Sequence, residues 1–435
     1  MKKGLVVLLS FWLVSCLSLD KGHSEYSGYS ILQGPTTQNE TIITVLYPKN
    51  RTLNYKVEVE TPEGFKAFSS SNVKKSLNNY NDSDYTVARL DINNLEPNKK
   101  YRLLFLNSRR ELIDNRTFYA LSDKDPLKIS LVSCMNDQYE KEQEPMWKTL
   151  IDTNPDMVFM IGDNVYADAK LGVLFKGGVT PQDIWKRYEQ TRNSLYIYRQ
   201  KKLIPTYATW DDHDYGTNNG GKDFKYKKQA KEIFETFFPQ TEQSNFKKGP
   251  GVSSLLSFNN YSFYFLDNRS FRDKKNPSGQ HFGKEQSQWI QESVKKLNSK
   301  YVFFISGDQF FGAYHRFESF EGHHSKTFKE FLNKLKSIQN KKIIFVSGDR
   351  HLSEVMEIES TLLGYKTYEI TSSGIHSSVY PGSFEKDPNP RQIAGKDGVH
   401  NFINLNLERH QESLNLKVES LGKDGKLYFK ESLNL

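Results

Sequence analysis

Four short motifs, three of them acidic, each sit where a hydrophobic, strand-like run ends, and this pattern constrains the fold more than anything else in the chain. They are Ser133-Cys134 after KISLV, Gly162-Asp163-Asn164-Val165-Tyr166 after DMVFMI, Trp210-Asp211-Asp212-His213-Asp214 after IPTYAT, and Gly348-Asp349-Arg350-His351 after KKIIFVS. In open α/β sheets, ligands bind beyond the carboxyl ends of the strands. Four such ends therefore predict convergence on one sheet edge. That edge would gather a thiol, several carboxylates, a phenol and two imidazoles. Without a counter-charge the acids repel one another, and burial forces them to protonate. A pair of metal ions between them removes the conflict.

The residue types suit that reading. Asp163 and Tyr166 leave a strand three positions apart. A carboxylate can bridge two cations, and a phenolate suits a hard trivalent ion such as Fe³⁺. Read alone, the pair fits a capped turn beside a packed tyrosine equally well. In the third motif, three carboxylates fall within four positions. A surface charge run is the usual explanation, but Trp210 and the preceding TYAT point to a strand end reaching the interior. In an extended segment Asp212 and Asp214 face one way, Asp211 and His213 the other. Asp212 is the metal-ligand candidate, and His213 the acid/base or oxyanion partner. Asp349 and His351 share a face, as a chelating pair or as a structural Asp–His hydrogen bond. Cys134 completes the set as a thiolate, because a metal deprotonates a coordinating thiol outright. Lone cysteines are more often small core residues, yet Cys134 stands at a strand end just before Asn136-Asp137.

The N-terminus implies export. Met1-Lys2-Lys3 precedes an apolar run from Gly4 to Leu13, then Leu13-Val14-Ser15-Cys16. This predicts a secretory signal, and the tetrapeptide resembles the bacterial lipobox, in which the cysteine is lipidated and becomes the first mature residue. The alternative is an ordinary signal peptide that carries a cysteine. The reading assigns residues 1–16 to a lipoprotein-type signal peptide and 17–30 to a spacer. The mature protein is then an exported bacterial lipoprotein, monomeric and water-soluble, held on the periplasmic or cell-surface side of a membrane. Cys16 and Cys134 are the two cysteines. With Cys16 lipidated, Cys134 has no disulfide partner. The formal charge of +8 comes without a dense basic block. It is compatible with an anionic substrate and offers no evident nucleic-acid surface.

Residues 31–121 alternate short β-type runs with turn residues, which predicts a sandwich of about seven strands. Within it, Leu95-Glu96-Pro97-Asn98-Lys99-Lys100-Tyr101 resembles the turn and strand of fibronectin type III modules. Across residues 122–435 strands alternate with helices, predicted near 140–152, 181–202, 226–238, 284–298 and 325–335. A hairpin turns at Asn259-Asn260, and the chain is β-rich again from Val355. Such an order implies a large mixed α/β sheet system, with two sheets packed together between helices.

In sequence order, GDNVYAD, WDDHDYGTNN, FLDNRSFRD, FGKEQSQWI and GDRH resemble the alkaline phosphatase D (PhoD-like) family of purple-acid-phosphatase-like metallophosphoesterases. The resemblance covers most of residues 128–380. It implies a four-layer α/β/β/α sandwich behind an all-β fibronectin/immunoglobulin-like domain, holding Fe³⁺ with Ca²⁺ or another divalent metal. By similarity Cys134, Asp163, Tyr166 and His351 hold the iron side, Asp163 bridges, and Asp212 and Asp349 serve the second ion. His213 matches the position that assists the leaving group. Arg269 matches the family's LDxR arginine and is the expected phosphate contact, with Arg272 as a second candidate. The other reading of Arg269 is a salt bridge to Asp267 or Asp273. Asp308 and Gln309 end a strand and are possible ligands, and Asn219 is a candidate amide-oxygen donor. The implied activity is hydrolysis of phosphomonoesters, phosphodiesters or both by a metal-activated water, without a phosphoenzyme. Candidate pocket walls are residues 170–180, 216–225 and 313–325, the last carrying His315, His323 and His324. A catalytically inactive surface lipoprotein that binds partners through its sandwich is the alternative.

Overall fold

A computed structural model describes residues 28–435 apart from 70, 76–82, 171–172, 175–178, 241 and 412. The expected signal peptide, Cys16 and residues 17–27 of the spacer lie outside the described residues.

Strands whose residues alternate between core and surface build the first part of the chain. Lys100–Leu106, for example, buries every second side chain. Among the described residues, eight strands before residue 121 form two four-stranded antiparallel sheets. One runs Ser30–Thr36, Glu40–Pro48, Tyr85–Asn93, Ser71–Lys75. The other runs Gly64–Phe68, Asn54–Thr61, Lys100–Leu106, Leu112–Tyr119. Ile43, Val45 and Leu90 of the first sheet meet Leu103, Phe105 and Phe118 of the second in a shared core. The fibronectin-like turn closes through the Tyr101 hydroxyl, which accepts the Glu96 N–H at 2.8 Å. Eight strands stand where about seven were expected. Ser71–Lys75 has one apolar residue and so carries almost no alternation to read.

Beyond residue 121 the pattern changes. Met157–Ile161, Tyr261–Phe265 and Tyr301–Ser306 are buried at every position. Continuous apolar runs of this kind belong to sheets covered on both faces. A six-stranded sheet has the order Thr206–Thr209, Met157–Ile161, Leu127–Val132, Phe402–His410, Ser413–Leu421, Leu427–Asn434. Its first three strands are parallel. In an eight-stranded sheet Tyr261–Phe265, Tyr301–Ser306, Lys342–Ser347 and Thr367–Ser372 run parallel side by side. Phe159, Leu405 and Val418 of the smaller sheet and Phe263, Phe303 and Ile305 of the larger form one core. Val158 and Met160 pack with helices Glu140–Asp152, Pro181–Ser194 and Lys227–Phe237. Tyr264, Phe304 and Phe345 pack with helices Gly283–Lys296 and Ser325–Lys336.

The helix expected over 181–202 stops at Ser194. Leu195 turns extended, and a 3₁₀ turn at Tyr196–Tyr198 follows. Among the described residues, no helix is long and apolar enough to cross a membrane.

The carboxyl ends of both sheets meet and are bonded to each other. The Gly348 N–H donates to Gly307 O at 2.9 Å and the Cys134 N–H to Gly162 O at 3.3 Å. Between the two sheets, the Ser133 hydroxyl donates to Ser372 O at 2.9 Å and the Thr209 hydroxyl to Leu266 O at 2.7 Å. This seam carries the four opening motifs.

Candidate metal centre

Crowding at the seam explains its glycines. A Cβ at Gly162, whose φ is +101°, would lie 2.7 Å from the Asp211 Cβ and 3.0 Å from the Gly307 Cα; one at Gly307 would lie 2.6 Å from the Asp211 Cγ. The flanking side chains are pressed into unusual backbone as well. Cys134, Asp163, Asp349 and His351 all have φ between +52° and +66°. Left-handed conformations at non-glycine residues cost on the order of 1 kcal/mol or more each and concentrate where function over-determines the backbone.

Three donor groups overlap. Cys134, Asp163 and His351 each offer a ligand atom within 4.8 Å of the others; so do Asp163, Asp212 and His213, and also Asp163, Asp211, Asp212 and Asp349. Donors about 2.0–2.3 Å from a common ion lie at most about 4.6 Å apart, so this packing has the scale of a coordination sphere. Asp163 belongs to all three groups. The Tyr166 hydroxyl lies 3.4 Å from His351 Nε2 and 2.8 Å from the Ser377 hydroxyl. The structure thus brings together Cys134, Asp163, Tyr166, Asp212, Asp349 and His351, all six residues expected as ligands.

The electrostatics suit a cation. Burial pushes Asp163 well above the usual carboxylate range, with Cys134 and Asp212 adding repulsion. Burial and the neighbouring Asp212 and Glu318 raise Asp349 to about 7. Burial lifts the Cys134 thiol to about 12. For Asp212, burial is outweighed by His213 and Arg269, which hold it at about 2. Burial lowers His351 to about 4, leaving the neutral imidazole that a metal ligand needs. Its Nδ1 lies 2.6 Å from Ser378 O and donates to it, so the lone pair is on Nε2. Nearby, the Ser373 hydroxyl sits 3.0 Å from the Cys134 sulfur and accepts the His351 N–H at 2.8 Å.

His213 is placed differently. Its backbone N–H donates to Asp163 and Asp212, its ring stacks on Tyr166 at 4.2 Å, and Nδ1 lies 2.7 Å from Asp168 Oδ1. Burial alone would lower its pKa, but Asp163, Asp212 and Asp168 together raise it well above the ordinary value. Asp168 lies in the GDNVYAD motif and was not singled out from sequence. Its position two residues after Tyr166 was the available signal. Ser373, Ser377 and Ser378 were missed too, because neutral hydroxyls in a loop carry no such mark.

Five of the expected site residues have protein partners of their own. The guanidinium of Arg269 is fully buried and committed to Asp211 (2.6 Å) and Glu318 (2.7 Å) rather than open to phosphate. Its ion-pair partners are these acids and not Asp267 or Asp273. Arg272 is buried against Asp308 (2.7 Å) and Glu318 (3.1 Å). Asp308 accepts from Asn268, Arg272, His281 and Ser306, so its oxygens are already engaged. The Gln309 amide nitrogen donates to Thr371, and its carbonyl oxygen accepts from His315 Nε2. Asn219 supports the centre through its backbone, whose N–H donates to Asp212 Oδ2 at 2.6 Å, while its side chain is exposed.

Among the candidate wall histidines, both ring nitrogens of His315 are engaged, by Gln309 and the Phe317 N–H. His324 meets Asn276 O at 2.9 Å. His323 contacts Arg272 and lines a cavity of about 340 Å³ with Asn219, Lys222 and Glu318. Of the first wall, residues 171–172 and 175–178 lie outside the described residues.

A mixed α/β fold with acids, a thiol and imidazoles at the joined strand ends defines a metallophosphoesterase-like protein, a hydrolase of phosphoric esters that binds metal. The chain belongs to the PhoD-like phosphatase family, whose model matches residues 129–412. A solved structure of PhoD is 16% identical, with a TM-score of 0.70, covering 94% of this chain and 92% of its own. A Vps29 double mutant from Entamoeba histolytica is 10% identical over 71% of this chain and 99% of its own, but its TM-score of 0.27 carries no weight. No curated protein matches the chain significantly.

Proposed function

We propose that the protein is an exported phosphoester hydrolase in which Asp163 joins two adjacent metal sites. The observation that carries this is the presence of Asp163 in all three donor groups. Cys134, Asp163, Tyr166 and His351 would hold Fe³⁺, since thiolate plus phenolate favours a trivalent ion. Asp163, Asp212 and Asp349 would hold Ca²⁺ or another divalent ion. Bound there, the two cations supply charge neutralisation for the phosphoryl group and acidify the attacking water.

The chain's own residues do the rest. Asp168 holds His213 Nδ1, and the stacked Tyr166 ring fixes the imidazole plane. Nε2 is then the nitrogen that hands a proton to the departing oxygen. Arg269 acts through Asp211, bracing the carboxylate wedged between Gly162 and Gly307. Three successive cores, helix–sheet, sheet–sheet and sheet–helix, support a four-layer α/β/β/α arrangement for residues 122–435, behind an immunoglobulin-like sandwich over 31–121. A lipobox-like N-terminus supports tethering to a membrane.

The test is hydrolysis of p-nitrophenyl and bis-p-nitrophenyl phosphate after reconstitution with Fe³⁺ and Ca²⁺. Release of p-nitrophenol from either is expected, and the ratio of the two rates distinguishes monoesterase from diesterase. Failure on both, at verified metal loading, contradicts the proposal.

A further inference from the structure

We propose that Arg350 anchors the substrate, its guanidinium taking an anionic oxygen of the phosphoester, an assignment that rests on the hydrolase reading of this site. Arg350 lies between Asp349 and His351 and is 8% exposed. Its side chain makes no hydrogen bond or ion pair among the described residues, and its Nε is buried without a partner. Among the described residues the other deeply buried guanidiniums are engaged: Arg116 by Asp114, Arg192 by Ser30 and Thr44, Arg269 by Asp211, Arg272 by Asp308. A buried cation with idle donors is expensive to keep unless something outside the chain supplies the acceptor.

The neighbours Asp349 and Glu354 supply charge but no hydrogen-bond acceptor. Glu354 is satisfied by Asn389, Gln392, Tyr314 and Gln309. His315 uses both ring nitrogens elsewhere. What Arg350 does touch is the ring of Phe317, 4.3 Å from the guanidinium carbon. Phe317 is 43% exposed. An aromatic face holds the guanidinium plane and screens it from water while leaving its edge free. The next residue, Glu318, pins Arg269 and lines the 340 Å³ cavity with Asn219, whose N–H meets Asp212. Arg350 and its aromatic cover therefore border the metal centre. A planar fork of N–H donors matches two phosphate oxygens. This is the role that the family resemblance gave to Arg269, whose Nε and Nη1 already donate to Asp211 and Glu318.

The experiment is titration calorimetry of metal-loaded protein with inorganic phosphate, alongside kinetics on p-nitrophenyl phosphate. Arg350→Gln at unchanged metal content is expected to weaken phosphate at least ~10-fold and to raise KM more than it lowers kcat. Arg350→Lys keeps the charge but not the fork, and is expected to weaken phosphate about 3–10-fold. If the glutamine variant does not fold or hold metal, the lysine variant decides. Wild-type hydrolysis combined with wild-type phosphate affinity in the folded variants overturns the assignment and leaves the hydrolase reading standing. Wild-type protein that neither hydrolyses nor binds phosphate overturns both.

Discussion

Three acids of one tetrapeptide have three different partners. Asp212 faces Asp163 and Asp349, Asp211 is the counter-ion of Arg269, and Asp214 accepts the Asp211 and Val165 N–H groups at 2.9 and 3.0 Å. His213, between them, is the proposed acid. His213→Ala should lower kcat roughly 10²–10⁴-fold on alkyl phosphoesters. The loss should be smaller on p-nitrophenyl esters, whose leaving group needs little help, and metal content should be unchanged. Asp168→Asn tests the brace. Asp168 helps to raise the His213 pKa, so its removal lowers that pKa. An acid must be protonated to act, so the basic limb of the rate profile should move to lower pH; an unmoved limb contradicts the role. The clustering of these residues was legible in sequence because ionisable residues rarely end buried strands without a purpose. The commitment of Arg269 was not, since its partners Asp211 and Glu318 lie 58 and 49 positions away.

Elements position the site through how closely their ends approach. Gly307 follows strand Tyr301–Ser306 and leaves room for Asp211. Gly307→Ala should destabilise the protein by about 1–3 kcal/mol in denaturant unfolding, as overpacking a closed site does. It should also cut metal retention, because Asp211 cannot shift without disturbing Arg269 and Asp212. A neutral result would mean that the strand ends are less tightly joined than the geometry indicates. Most elements after residue 121 were readable from sequence, because buried strands are continuous apolar runs and helices repeat every 3.6 residues. The helices at Glu140–Asp152 and Ser325–Lys336 fell where expected, to within a residue. The early stop at Ser194 was not readable, since YIY continues the apolar pattern while changing to a 3₁₀ turn. Strand order was also beyond reach. Leu127–Val132 pairs with Phe402–His410, from the far end of the chain, and no local pattern encodes that partnership.

For the molecule as a whole, the proposed metal ions would complete the fold as well as the chemistry. Without them Asp163 and Asp211 are pushed well up by burial and Asp349 to about 7, against about 3.9 in an unfolded chain. At these carboxyls the folded state then holds protons that the unfolded state has released, so their contribution to stability falls as pH rises between about 4 and 7, while His351, lowered to about 4 by burial, opposes them up to about 6.5. Asp212, held at about 2, acts in the opposite sense but only below that window. Bound cations replace the protons and remove the penalty. The gap in thermal midpoint between metal-loaded and chelator-treated protein should therefore widen from pH 5 to pH 8; a constant gap contradicts this coupling. The most direct test of the account is the metal content of purified wild-type protein and of Asp163→Asn, measured by elemental analysis. Two metals per chain in the wild type and loss of both in the variant are predicted, because one carboxylate serves both sites. Retention of the wild-type stoichiometry by Asp163→Asn would contradict it.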